Sequence, residues 1–530
     1  MKEGVRRDRR DIGTWARRSV LYVGLIAAGA ITGCRSGPTL LQPNDQVTID
    51  RQSVEYPAET ELKPYVTGLT GPTALAFDNE GSMLIAESGI GGREPRIFGF
   101  KKDGEVFEIY PRRQLPSLPI RIPGIEKFKI YPPIGGMVAA HGRIYVSHRD
   151  ENGQGVITAF GYDGSHTTIV AKLPAQGDFS VTDIAVAADG RLYFGMGTAT
   201  NSAVVGLDNM RWLQEYREVC DVPSQRLYLL GRRFDAANPF SGLFGGTDIA
   251  VTAPFQPFGK SIETVVPESQ LPNGAIYSVS PTGGDLKVIA HGIRNPVGLA
   301  FSELGVLYAT NQGMKLRGTR PVKDDPDVML RVLNGQWYGW PDFSANLQPI
   351  RDPRFQPPVE MIVKSGYRDL SFLIDHATSG LTPPNPNSNL LAAEFRPLSG
   401  AAKFDFAPPS GFFSRLRETG NVAIVALWGD QAPYDTGGMK LVGPMGYKVV
   451  QVNVDGKEVK DFIRNTQAGP ASKYDLGGRA LERPVDVKFG PDGALYILDF
   501  GRMEMRGSRE RVRGGTGRVF KLVGVVQQKQ

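Results

Sequence analysis

The sequence predicts an all-β fold, a six-bladed β-propeller carrying two long inserted segments. Three observations predict it. A strand–turn–strand unit recurs along the chain. Hairpins of a second kind lie between its copies. Gly (64) and Pro (39) make about a fifth of the 530 residues turn-formers, which suits many short strands better than long helices.

The N-terminus reads separately from the fold. Residues 1–33 hold seven Lys/Arg and three Asp/Glu, then the apolar run "SVLYVGLIAAGAITG" ahead of Cys34. A charged start and an apolar stretch too short to span a bilayer make a secretory signal. "ITGC" resembles a bacterial lipobox, which makes Cys34 the expected acylation site. "RRSVL" at Arg17 weakly resembles a twin-arginine export signal. Removing 1–33 lowers the formal charge from +6 to about +2. The basic balance thus belongs to the signal, and the chain is not read as a nucleic-acid binder. With Cys34 acylated, Cys220 stands alone and no internal disulfide forms. Residues 34–58 are polar and read as a membrane tether; the propeller is expected over 59–524, with a tail at 525–530.

The repeat follows. Clear copies are "GPTALAFDNEGSMLIAESG" from Gly71, "VTDIAVAADGRLYFGMG" from Val181, "RNPVGLAFSELGVLYATNQG" from Arg294 and "ERPVDVKFGPDGALYILDFG" from Glu482. Degenerate copies begin at Ile134 ("IGGMVAAHGRIYVSHRD") and Gly420 ("GNVAIVALWGD"). Asp189-Gly190 and Asp492-Gly493 are hairpin dipeptides. Second hairpins such as "RIFGFKKDGEVFEIY" and "YKVVQVNVDGKEVKDFI" complete units of four strands. Radial repetition of such units protects their edges. "GRVFKLVG" near the C-terminus is expected to close the ring against N-terminal strands. Insertions are expected at about 198–274 and 342–419; loops of that length are usually functional or ordered in their own right.

Topology then selects one face. In each inner hairpin the turn lies at one end, so residues before the first strand and after the second converge at the other end, by the channel. They are Glu87, His148, Arg149 and Asp150; Asp178, Asn201, Arg294 and Asn295; Asn311, Gln312, Trp428 and Asp430; and Arg483 and Asp499. The five histidines lack metal-ligand spacing, and no nucleophile elbow or phosphate loop is present.

"HGIRNPVGLAF", "NQG" and "NGQWYGWPD" together resemble the soluble quinoprotein glucose and sorbosone dehydrogenase family. The resemblance implies an exported six-bladed propeller that oxidises sugars with pyrroloquinoline quinone (PQQ) and Ca²⁺ and passes electrons to an acceptor. It places Arg294, Asn295, Gln312 and Arg483 on the quinone, whose carboxylates and carbonyl oxygens suit an Arg fork. It makes the carbonyls of Gly313 and Met314 calcium ligands, with Met314 where the family has Pro. It also exposes departures. The family's general-base His falls on Phe179, although the preceding Asp178 is kept. The expected glutamine falls on Pro133 or Ile134, and a family lysine near "VALWGDQAP" has no counterpart. Sugar oxidation needs a base at the hydroxyl. His148 is the first candidate for a relocated base and Asp178 the second. Two further readings stand beside a dehydrogenase: a propeller that binds sugar without oxidising it, through Trp428 and the polar rim, and a membrane-tethered assembly module.

Overall fold

The computed structural model describes residues 37–111, 128–240, 248–260, 263–363, 366, 369–441 and 443–525. The expected signal segment and Cys34 lie outside them.

Six sheets form the six blades. Blade one is built from Pro72–Phe77, Met83–Glu87, Arg96–Phe100 and Val106–Tyr110, inner strand first. Blade two runs from Tyr131–Ala140 to His166–Leu173. The inner strands of blades three to six are Val181–Val186, Pro296–Phe301, Ala401–Phe406 and Pro484–Phe489. Their apolar residues alternate, so one set packs between adjacent blades, as Leu299, Ala309 and Val328 do. The ring closes as the sequence predicts. Gly517–Gly524 lies between Leu495–Asp499 and Thr60–Leu69, with Leu62 opposite Leu522. Blade six thus joins both ends of the chain.

Each inner strand breaks register at its start. In blades three, four and five two residues oppose one: Thr182-Asp183 against Gly195, Val297-Gly298 against Thr310, and Ala402-Lys403 against Ala426. Such bulges re-aim side chains, here toward neighbouring blades. Asp183 accepts the Leu299 N–H at 3.1 Å, Asp486 the Leu75 N–H at 2.9 Å, and Thr310 donates to the Ala402 carbonyl at 2.7 Å.

Two expectations are corrected. The second insertion ends well before 419, because Leu391–Phe395 is the outer strand of blade four and Ala401–Phe406 the inner strand of blade five. A 3₁₀ segment, Phe412–Thr419, replaces the tight turn of that hairpin, so "GNVAIVALWGD" supplies only its second strand, Val422–Leu427. The segment expected as a tether is in fact docked on the propeller from residue 37 onward. Thr39–Leu40 pairs with Val66 and Thr67, Val54–Glu55 pairs with Arg464 and Asn465, and Ile49, Val54 and Tyr56 are buried. Those apolar groups leave water against blades five and six, which outweighs the solubility of the polar residues between them.

Candidate functional site

The predicted face carries a cavity of about 450 Å³ at the channel mouth. Its wall includes Arg149, Asp178, Arg294, Asn295, Gln312 and Trp428, six of the residues selected from topology.

The pairs flanking the Pro296–Phe301 hairpin meet. The Asn311 carboxamide accepts the Asn295 N–H at 2.9 Å, and Asn295 donates its side-chain amide to Gln312 at 3.2 Å. Gln312 in turn donates to the Ala401 carbonyl of the next blade at 3.1 Å. Arg294 is 2% exposed and bonds only to neutral oxygens: the Asn201 carbonyl and carboxamide, both at 2.9 Å, and the Gln312 carbonyl at 3.4 Å. Its guanidinium lies 4.7 Å from the centre of the Phe179 ring. Burial lowers its pKa to about 10. No carboxylate among the described residues pairs with it. Phe179 therefore forms part of the bed of Arg294 and has no titratable atom to offer.

Five lining residues carry a buried polar atom without a hydrogen-bond partner: Ser180 Oγ, Asp208 Oδ1, Asn295 Oδ1, Arg317 Nε and Trp428 Nε1. A buried polar atom left unpaired costs about 1–3 kcal/mol, so a cluster facing one cavity points to a ligand with complementary donors and acceptors.

The acidic side of the wall is organised by Arg317, which sequence reading missed. It binds Asp178 and Asp208, each at 2.5 Å, and lies 3.7 Å from Asp435. Burial pushes the Asp208 carboxyl up, against the pull of Arg317. Asp178 also accepts from Asn209 at 2.9 Å. Asp178 thus reaches the cavity with its carboxylate held in place.

His148 does not. It is 1% exposed inside blade two, with Nδ1 on the Arg149 carbonyl at 2.7 Å and Nε2 on the Thr158 hydroxyl at 2.8 Å. Strand alternation turns it away from the cavity that its neighbour Arg149 lines. Burial lowers its pKa to about 4. An unfolded chain binds this proton near pH 6.5 and the folded one only near 4, so acid costs stability. Relative to His148→Gln, the wild type should lose roughly 1.4 kcal/mol per pH unit between those values. Denaturant titrations at neutral pH and near pH 4.5 check this.

The remaining site predictions fall close by. Arg483 sits one layer behind the wall, 5.3 Å from the Trp428 ring and 4.9 Å from the Tyr447 ring, and donates to the Asp430 carbonyl at 3.1 Å. Gly313 and Met314 donate their N–H groups to Asp327 at 3.0 Å and Asp325 at 2.7 Å, which fixes the loop. Met314 borders a separate void of about 10 Å³. Among the described residues no three His, Cys, Asp or Glu side chains form a metal cluster. A cation at this loop depends on main-chain carbonyls and on the ligand's own oxygens. A planar polycarboxylate placed in the cavity would meet the Arg294 guanidinium, the unpaired Trp428 indole N–H and the Trp428 face, while the unpaired Asn295 oxygen calls for a donor from the ligand.

No protein-family model and no curated protein matches the chain. Solved structures do. The PQQ domain of a pyranose dehydrogenase from Coprinopsis cinerea is 14% identical, with a TM-score of 0.48 over 89% of this chain and 98% of that one. The PQQ-bound aldose sugar dehydrogenase of Streptomyces coelicolor is 15% identical, with a TM-score of 0.43 over 88% and 99%. The calcium structure of a Trichoderma reesei carbohydrate-active enzyme of family AA12 is 14% identical, with a TM-score of 0.47 over 90% and 99%.

Proposed function

We propose that the cavity binds PQQ and a sugar, and that the protein is a PQQ-dependent sugar oxidoreductase, exported and lipid-anchored in the cell envelope through Cys34. The observation that carries this reading is Arg294: a buried guanidinium without a carboxylate partner, beside orphaned buried donors and acceptors, in the cavity at the channel mouth. Charge-assisted bonds to carboxylates are the strong ones, and this Arg has neutral partners only. Bound quinone supplies the acceptor for the two electrons of sugar oxidation. Arg294, Asn295 and Gln312 hold it, with Arg483 behind Trp428 and the Gly313 and Met314 carbonyls left for Ca²⁺. Asp178 would take the sugar hydroxyl proton, with Arg317 fixing its carboxylate, and an acceptor in the envelope would take up the electrons.

A second reading rests on Phe179 and on the Arg317–Asp178 pair. A site whose expected base is a phenyl ring, and whose carboxylate is tied to Arg, suits sugar binding without oxidation. Absorbance titration with PQQ and Ca²⁺, followed by dye reduction with aldoses, separates the two. Asp178→Asn should lower turnover at least ~100-fold while PQQ still binds. Binding without turnover in the wild type favours the second reading, and absence of PQQ binding overturns the first.

A further inference from the structure

Arg149 is a third buried arginine in the same wall, beside Arg294 and Arg317, and has no assigned task. It is 9% exposed and ends the second strand of blade two. Its Nε donates to the Ala175 carbonyl at 2.9 Å. Its terminal nitrogens make only long contacts, 3.4 Å to the Pro132 and Gly177 carbonyls and 3.5 Å to that of Phe179. No carboxylate among the described residues pairs with it. Burial lowers its pKa to about 9, and Arg211 adds to the effect. A cation kept in a wall on carbonyls alone is under-compensated, which favours a bound anion.

Its surroundings separate it from the quinone position of the proposed function. Arg149 touches the Phe179 backbone, whereas Arg294 lies on the Phe179 ring. The Trp212 ring lies 4.6 Å from the Arg149 guanidinium. Trp212 and Arg211 come from the first insertion, and Arg211 reaches Glu510 of the Met503–Val512 hairpin at 3.6 Å. Arg211, Trp212 and Glu510 all line the cavity, and Arg211 is largely exposed. The Arg149 side is therefore the side built by the first insertion and the Met503–Val512 hairpin.

We propose that Arg149, with Arg211 and the Trp212 face, forms a carboxylate subsite, and that the sugar taken by this cavity is an acidic one, a uronate or aldonate. This rests on the sugar-binding part of the reading above. The guanidinium fork grips the carboxylate, the indole covers the adjacent ring carbons, and Arg211 exchanges Glu510 for the ligand.

Calorimetry with D-glucuronate and D-glucose tests it, on the purified protein with and without PQQ. The wild type should bind glucuronate about 10- to 100-fold more tightly than glucose, in keeping with charge-assisted bonds. High salt should shrink the difference. Arg149→Met should erase the preference, with glucuronate binding losing more than glucose binding. Arg149→Lys, which keeps the charge, should retain part of it, and the exposed Arg211→Gln should reduce it a few-fold. Equal affinities in the wild type overturn the proposal whether or not the Arg149 variants fold. So does a preference that survives Arg149→Met, or one that PQQ abolishes, since the carboxylate site then belongs to the cofactor. Failure of PQQ to bind strikes the redox reading alone, because the glucuronate arm is read without it.

Discussion

Arg317→Met should cost about 3–5 kcal/mol of folding stability, the usual result of removing one partner from a buried ion group. The side chain is 7% exposed and serves carboxylates from three parts of the chain. Asp178 precedes the inner strand of blade three, Asp208 lies in the first insertion, and Asp435 follows the second strand of blade five. Burial opposes the charge on Arg317, and Asp178 and Asp208 together overcome it, so its pKa ends well above the usual value. Without it Asp178 and Asp208 lose their cation while staying out of water. The sign of the pH response follows. Asp208 already has a raised pKa in the folded state, and the exchange raises it further. A carboxylate with a raised folded pKa contributes stability below its unfolded value and loses it as pH rises. The deficit should therefore be larger at pH 8 than at pH 5 in denaturant titrations. Arg317→Lys should fall between, since it keeps the charge but loses the planar fork whose separate nitrogens reach Asp178 and Asp208. The first insertion would also lose its charged anchor to the cavity wall, so proteolysis within 198–274 should accelerate in the Met variant.

Much of the ring was legible because the repeat is local. Period-two alternation with an Asp-Gly or equivalent turn marks a hairpin without knowledge of its partners, and blades one, three, four and six announce themselves this way. Blade five does not. Its inner hairpin is joined by a 3₁₀ segment, so the first strand reads as part of an insertion. The docking of 37–58 was hidden for another reason. Only Ile49, Val54 and Tyr56 anchor it, and three buried side chains in a polar segment make no pattern in sequence.

The site divides the same way. Arg294, Asn295 and Gln312 were found because topology alone places strand ends on the channel face. Asp178 and His148 were both found by their position at strand ends, and of the two only Asp178 reaches the cavity. Alternation settles His148: Arg149 points into the cavity, so its neighbour points back into the blade. Arg317 and Asp208 were missed because they lie in loops outside the repeat, and a loop's course is fixed by tertiary contacts. Arg149 was on the predicted face, but its lack of a counter-charge is visible only in the structure. One missed residue did leave a signal. When the six inner strands are aligned at their starts, the third residue is Ala74, Pro133, Asp183, Gly298, Lys403 or Asp486. Charge at a position that is otherwise small marks the axis of the ring.

That axis carries the other large expected effect. Lys403→Met should destabilise the fold by about 3–5 kcal/mol. Lys403 is 2% exposed at the floor of the cavity. Its ammonium donates to the Thr73 carbonyl of blade one at 2.8 Å and lies 3.4 Å from Asp183 of blade three and 4.0 Å from Asp486 of blade six. One cation from blade five thus joins three other blades where no hydrogen-bond ladder can cross the channel. Both carboxylates have a second duty, since Asp183 accepts the Leu299 N–H and Asp486 the Leu75 N–H. Removing the ammonium leaves them charged, dry and fixed in place by those bonds. Burial already raises the Asp486 pKa, with Lys488 and then Lys403 holding it down. The control is the double variant with Asp183→Asn. It removes one uncompensated charge while its carbonyl can still accept from Leu299, so it should be more stable than Lys403→Met alone. The coupling energy should be about 1–3 kcal/mol, against near zero for sites without shared partners. Strict additivity would show that the axial charges do not sense one another. The ring would then be held by its ladders and the apolar wedges between blades.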